Sequence, residues 1–277
     1  MKGTFNEILG SEVAVPEKPT RIISLSPALT ETLFMLGLGE RVVGVSAFCA
    51  RPEAARSKRK VGSYSTTNME LLREMKPDLI LTITGYQRSL AIELSAEFPV
   101  YPLALPVSVA GIIDTVVKVG LVVGEAERAR ELSSNLIREA ASARPTRRKL
   151  KTYLEIDLGG PVAFGAYSYI TDCLHLLGAS TLFDDVRSEW LTPDLDRVVA
   201  EGPDVFLYEA KMYSKFSEQD LERKIDNRGW RQLKAVRTGC YFLAPGPLDF
   251  FAHHGPSFIT ASMPWLSQRL ELAEERA

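Results

Sequence analysis

The sequence predicts an α/β protein of two similar lobes, each built on a parallel sheet, with one long helix between them. Three observations predict this. Short apolar, strand-like runs alternate with helical patterns in both halves, the pattern of a parallel α/β sheet. The same local phrase occurs twice, as Lys76-Pro77-Asp78-Leu79 and as Gly202-Pro203-Asp204-Val205, each leading into an apolar run. Between the halves, residues 125–144 contain no Gly or Pro and are rich in Glu, Arg, Ala and Leu, all strong helix formers. The expected organisation is a first lobe over 1–124, a connecting helix over 125–148 and a second lobe over 149–277.

Arg21-Ile22-Ile23-Ser24-Leu25 reads as the first sheet strand. Ser26-Pro27 then opens a helix, with Ser26 as N-cap and Pro27 in the first turn, where its missing N–H is harmless. Leu29, Leu33 and Leu36 form its buried stripe, and Gly37 and Gly39 end it. Residues 42–45 are the next strand. Thr67-Asn68-Met69-Glu70 reads as a capping box, and residues 79–83 as a strand after Pro77-Asp78. The basic run Arg147-Arg148-Lys149-Lys151 reads as a solvated helix end and turn. Beyond it, residues 152–156 are strand-like and 169–177 helical. Thr192-Pro193 repeats the helix opening, and 205–208 is again a strand.

Composition removes several classes of function. With 33 Lys and Arg against 35 Asp and Glu, the net charge is −2, without the basic excess of a general nucleic-acid binder. No apolar run approaches the roughly 18 residues of a membrane span. The three cysteines, Cys49, Cys173 and Cys240, form no C-x-x-C pair and are expected as buried or free thiols. The opening Met1-Lys2-Gly3-Thr4-Phe5 lacks the basic and apolar regions of a leader. The expectation is therefore an extracytoplasmic protein if a leader has been removed, and a cytoplasmic one if the chain is complete as written.

The ordered set of motifs resembles a known family. Arg21-Ile22-Ile23-Ser24-Leu25-Ser26-Pro27-Ala28-Leu29-Thr30-Glu31, Val42-Val43-Gly44-Val45, Val61-Gly62-Ser63-Tyr64-Ser65 and Lys76-Pro77-Asp78-Leu79 resemble, in order and spacing, the periplasmic binding proteins for cobalamin, ferric siderophores and haem. Leu177-Gly178-Ala179 and the run from Gly229-Trp230-Arg231 to Thr238-Gly239 continue the likeness through the second half. The resemblance implies two Rossmann-like lobes with a ligand cleft between them. It implies a monomer that delivers its ligand to an ABC permease and its ATPase, with no cofactor of its own. It also implies docking acids on top of each lobe, here Glu70 and Asp196. No P-loop is present, so ATP would be hydrolysed by the partner.

In open α/β sheets, ligands bind at the carboxyl ends of strands. That rule selects Ser26, Pro27 and Ala28, then Phe48, Tyr64, Ser65, Gly85 and Tyr86, in the first lobe. In the second it selects Phe164, Tyr167, Trp190, Lys211, Phe250, Phe251 and His253. These loops are rich in aromatic residues, which suit a flat macrocycle. Phe48, Tyr64 and Trp190 stand where the resemblance places cobalamin contacts. Arg51, Arg88, Arg187 and Lys211 are balanced by Glu189, Glu209 and Asp249, which favours a neutral or zwitterionic corrinoid over an anionic siderophore. His253 and His254 are candidate axial ligands of haem iron or cobalt; the alternative is that one caps the next helix and the other is solvated. A competing class is a chelatase-like enzyme, and a third is an intracellular tetrapyrrole or metal-chelate carrier. No G-x-S-x-G, H-E-x-x-H or G-x-G-x-x-G supports an enzyme.

Overall fold

The computed structural model describes residues 2–276, with only the backbone of Lys2 and Tyr86. The fold is mixed α/β, in two compact units. The first comprises residues up to 106 and 112–137, the second 107–111 and 138 onwards. All three cysteines are buried and free. Among the described residues no helix is long and apolar enough to cross a membrane.

The first unit opens with an antiparallel hairpin, β1 (Lys2–Asn6) and β2 (Ser11–Val15). Its buried Asn6 accepts from the N–H groups of Ile8 and Leu9 and donates to Pro102 O at 2.9 Å. Then follow β3 (Ile22–Ser24), α1 (Pro27–Met35), β4 (Val42–Ser46), β5 (Arg59–Gly62), α2 (Met69–Met75), β6 (Leu79–Ile83), α3 (Arg88–Ser95), β7 (Val100–Leu103), α4 (Val109–Val122) and α5 (Ala126–Ser142). The sheet order is β5-β4-β3-β6-β7, and every pair is parallel. All five residues of β6 are buried, as expected of a strand covered on both faces. Gly124, at φ +74°, ends α4, and a Cβ there would stand 2.2 Å from Glu17 O.

The chain passes into the second unit within α5. This helix ends at Ser142, and residues 143–149 are irregular rather than helical. Pro145 removes a donor from any continuing turn. Thr146 holds the segment instead, with its N–H donating to Leu177 O at 3.0 Å. Next come β8 (Leu150–Asp157), β9 (Pro161–Phe164), α6 (Tyr169–Leu176), β10 (Ala179–Thr181), β11 (Trp190–Leu191), α7 (Leu195–Glu201), β12 (Val205–Glu209), α8 (Glu218–Asn227), α9 (Lys234–Arg237), β13 (Tyr241–Leu243) and α10 (Met263–Arg276). A π-helical turn, Phe258–Ser262, leads into α10.

The second sheet differs from the purely parallel one expected. Strands β10, β8, β12 and β13 are parallel, but β9 and β11 are antiparallel additions. The Leu158-Gly159-Gly160 turn, with Gly159 at φ +101°, folds β9 straight back onto β8. A turn this short allows only an antiparallel partner.

The repeated Pro-Asp phrase has one physical job in both units. Asp78 accepts from the Thr20 and Arg21 N–H groups at 2.7 and 2.8 Å, just ahead of β3. Asp204 accepts from Lys151 N–H at 2.8 Å, at the start of β8. Each aspartate stands ahead of one strand and fixes the start of its parallel neighbour. The residue before each proline, Lys76 or Gly202, is left-handed, with φ 45° or 58°. That conformation stops the preceding helix.

Three helix starts differ from expectation. Ser26 is the N-cap of α1, but its hydroxyl caps nothing and is buried without a hydrogen-bond partner among the described residues. The cap of α2 is Asn68, whose side chain accepts from Leu71 N–H at 3.0 Å; it is not Thr67 in a box with Glu70. The cap of α7 is Asp194, two residues after Thr192. In both cases an Asx side chain directly ahead of the first turn takes its orphan N–H groups.

Candidate ligand-binding loops

In the first unit the chain leaves β3 toward β4 and β5, then returns to β6 on the other side. Loops at the carboxyl ends of such neighbours flank a topological switch point. One side chain ties these loops together. Gln87 is fully buried, and its Nε2 donates to Leu25 O at 2.8 Å and to Tyr64 O at 3.0 Å. Its Oε1 accepts from Ile83 N–H at 3.0 Å. The loops after β3, β5 and β6 are therefore held by one amide. Thr84 adds a tie by accepting from Leu105 N–H at 2.7 Å.

Of the residues expected here, Phe48 and Tyr64 come together. Their rings meet edge to face at 6.2 Å, with Phe48 39% exposed and Tyr64 packed on the core below. Ser65 and Gly85 are exposed on adjoining loops, whereas Ser26, Pro27 and Ala28 are buried. The Tyr86 side chain lies outside the described residues. Beneath Phe48, Cys49 receives a hydrogen bond from Thr30 Oγ1 at 3.1 Å, and burial pushes its thiol pKa up. It is a packed polar contact rather than an activated nucleophile.

In the second unit Trp190 and Phe164 are directly opposed in the β11–β9 pair. The following loop is pinned to its neighbour, with Ala166 N–H donating to Val186 O at 2.8 Å and Tyr167 N–H to Ser188 O at 3.0 Å. Gly165 permits this approach, since a Cβ there would lie 2.5 Å from Val186 O. Tyr167 is 50% exposed, Lys211 is exposed, and Phe164, Trp190 and Phe250 are half-buried. Burial raises the carboxyl pKa of Glu189, beside Trp190.

The loop after β13 corrects two expectations. Phe251 is not a surface aromatic: its ring is fully buried, 5.8 Å from Trp265, and its carbonyl accepts from Tyr169 OH at 2.6 Å. His253 and His254 are buried as well, at 2% and 7% exposure, so neither is a solvated loop histidine. His253 Nδ1 lies 3.7 Å from Asp249, and His254 packs edge-on to Tyr169 at 6.1 Å. Burial drops the His254 pKa to about 4, with His253 adding to the effect. The organising residue is Glu209, at the end of β12. It is almost wholly buried and accepts from the N–H groups of Phe251 and Ala252. Burial pushes its pKa up to about 7 despite those bonds, and Asp249 contributes. Among the described residues no three His, Cys, Asp or Glu side chains converge as metal ligands.

Glu70 and Asp196 occupy equivalent places. Each is exposed and stands second in a seven-residue helix, α2 or α7, after an Asn or Asp cap. Gln87 carries no spacing signal in the sequence, and Glu209 stood out there only as a charge balancing the basic residues of these loops. Only the folded chain shows what each one holds.

Residues 22–247 match the family model described as periplasmic binding protein. A vitamin B12-binding protein of Yersinia pseudotuberculosis serotype O:3 (strain YPIII) is 28% identical over 196 residues, covering 68% of each chain. A possible iron-binding periplasmic solute-binding protein of Staphylococcus epidermidis ATCC 12228 superposes with a TM-score of 0.76 at 25% identity, covering 91% of this chain and 99% of that one. The periplasmic haem-binding protein RhuT of Roseiflexus sp. RS-1 gives 0.77 at 21% identity, with 92% and 98% covered.

Proposed function

Since the chain belongs to the periplasmic binding protein family, we propose that it is the ligand-capturing component of an ABC importer and that its ligand is a corrinoid. The family and its solved relatives are binding proteins, and the reading assigns no catalytic residue. The observation that carries the ligand class is the grouping of aromatic residues within each unit. Phe48 meets Tyr64 in one unit, and Trp190 opposes Phe164 in the other. Such rings bury a large flat surface with little loss of rotamer freedom. The 28% identity to a vitamin B12-binding protein supports the same choice. The protein acts outside the cytoplasmic membrane as a monomer.

Calorimetric and visible-absorption titration with cyanocobalamin, haemin and a ferric hydroxamate siderophore tests the ligand. Saturable binding of cyanocobalamin, with the other two weaker, is expected. Preference for haemin or the siderophore moves the ligand and keeps the class; no binding of any of the three refutes the proposal. Trp190→Ala is expected to weaken cyanocobalamin binding by about 1–3 kcal/mol, the scale of one lost stacking platform.

Glu70 and Asp196 are proposed to dock onto permease arginines, one from each unit. Each carboxylate is exposed in the first turn of its helix, where the helix dipole favours negative charge. The double variant Glu70→Ala, Asp196→Ala is expected to bind ligand normally but lose most stimulation of the reconstituted transporter ATPase. Undiminished stimulation removes the docking role.

A further inference from the structure

A groove of about 650 Å³ runs along β13 in the second unit, from Gly239 to Pro247, and takes in Trp265, against which Phe250 and Phe251 pack. β13 is the last strand on its side of the sheet. Cys240 O accepts from Phe206 N–H at 2.9 Å, and Ala244 N–H donates to Tyr208 O at 2.7 Å. In a parallel ladder alternate residues turn to the same neighbour. The N–H and C=O groups of Tyr241 and Leu243 therefore point away from β12, into the groove.

The walls of the groove are charged as well as apolar. On the α10 side the Arg269 guanidinium lies 4.8 Å from the Trp265 ring centre and 5.5 Å from that of Phe242. Among the described residues no carboxylate forms an ion pair with it. Stacking on two rings fixes such a guanidinium while leaving its N–H edge free to donate. On the α8 side stand the exposed Glu218 and the half-buried Glu222, the latter accepting from Tyr241 OH and neutralised by an ion pair with Arg231.

We infer that the β13 edge accepts an extended acidic peptide segment of a partner protein as an added strand, with one of its carboxylates on Arg269. Main-chain bonds to Tyr241 and Leu243 supply the pairing, and the alternation of side chains along the added strand sends every second one toward α10. The groove suits a short segment, because Pro245 and Pro247 end the edge just beyond Leu243. A second copy of the chain is a poor occupant. Two-fold pairing of β13 with itself would bring both copies' Arg269 to the same face, like charge against like.

The test uses the isotope-labelled full chain and the peptide acetyl-Thr-Val-Glu-Val-Thr-amide, followed by amide chemical shifts. Saturable shifts centred on Tyr241 and Leu243 are expected, with a Kd on the order of 1 mM. The Val-Lys-Val counterpart is expected to bind about fivefold more weakly, the scale of one exposed ion pair. Arg269→Glu should invert that preference, and Arg269→Gln should abolish it while leaving the spectrum otherwise folded. The proposal is overturned if neither peptide shifts these amides at about 5 mM, or if charge makes no difference. It is equally overturned if the amides shift with protein concentration alone, which would assign the edge to a second copy.

Discussion

Arg228→Met is expected to destabilise the second unit by about 3–5 kcal/mol, the scale for removing one partner of a buried ion pair. Glu155, on β8, is fully buried and receives both guanidinium nitrogens of Arg228, at 2.7 and 2.9 Å. Tyr153 OH donates to the same carboxylate at 2.6 Å, and Lys224 stands 3.7 Å away. Methionine fills much of the volume of the arginine stem, so most of the loss reflects a carboxylate stranded in the core. Lys224 is too distant to replace a bidentate partner and is already placed over the Tyr208 ring at 4.8 Å. The Arg228 guanidinium also stacks on Trp230 at 4.6 Å, a contact that goes with it. Adding Glu155→Gln should restore more than half of the stability, because the amide still accepts from Tyr153 without needing a counter-charge. Urea unfolding of the parent, the single and the double variant measures this. A single variant within about 1 kcal/mol of the parent would show that the pair contributes little.

The architecture was legible because its signals are local and repeated. The two Pro-Asp phrases marked equivalent places in two sheets, and the structure gives the reason: each aspartate ties the start of one strand to the start of its neighbour. Helix starts were legible to within two residues. They were misassigned where several capping residues stand in a row, as at Thr67-Asn68 and Thr192-Pro193-Asp194, because the best acceptor depends on backbone angles that the sequence does not state. The β9–β11 addition was missed because two- and four-residue strands carry no periodicity to count. Among the loop aromatics, neighbours in sequence went opposite ways. Phe250 is half-buried, whereas Phe251 is enclosed by Trp265 and Tyr169. The loop that carries both is held by Glu209, about forty residues earlier in the chain, whose carboxylate accepts from the Phe251 and Ala252 N–H groups. A long-range contact of that kind leaves no trace in the loop's own composition.

The same loop should give the protein two opposing pH dependences, visible only when one is removed. The Glu209 carboxyl titrates at about 7 in the folded chain against an ordinary value of 4.5. Between these values the folded chain keeps a proton that the unfolded chain has released. Its contribution to stability is therefore full below pH 4.5 and falls by about 3 kcal/mol as pH rises to 7. His254 behaves in the opposite sense, with about 4 in the folded chain against 6.5. The unfolded chain gains a proton there that the buried ring refuses. Its contribution is full above pH 6.5 and falls by about 3 kcal/mol as pH drops to 4. From pH 4.5 to 6.5 the two slopes are nearly equal and opposite, so the pair together leaves stability almost flat. Glu209→Gln keeps an acceptor for the Phe251 and Ala252 N–H groups and removes one slope. That variant should lose about 1.4 kcal/mol per pH step of one as the medium is acidified across this window. His254→Gln should gain stability over the same steps. Urea midpoints measured at half-unit pH intervals separate the cases. Parallel curves for the parent and both variants would mean that neither group carries its perturbed titration in the folded chain.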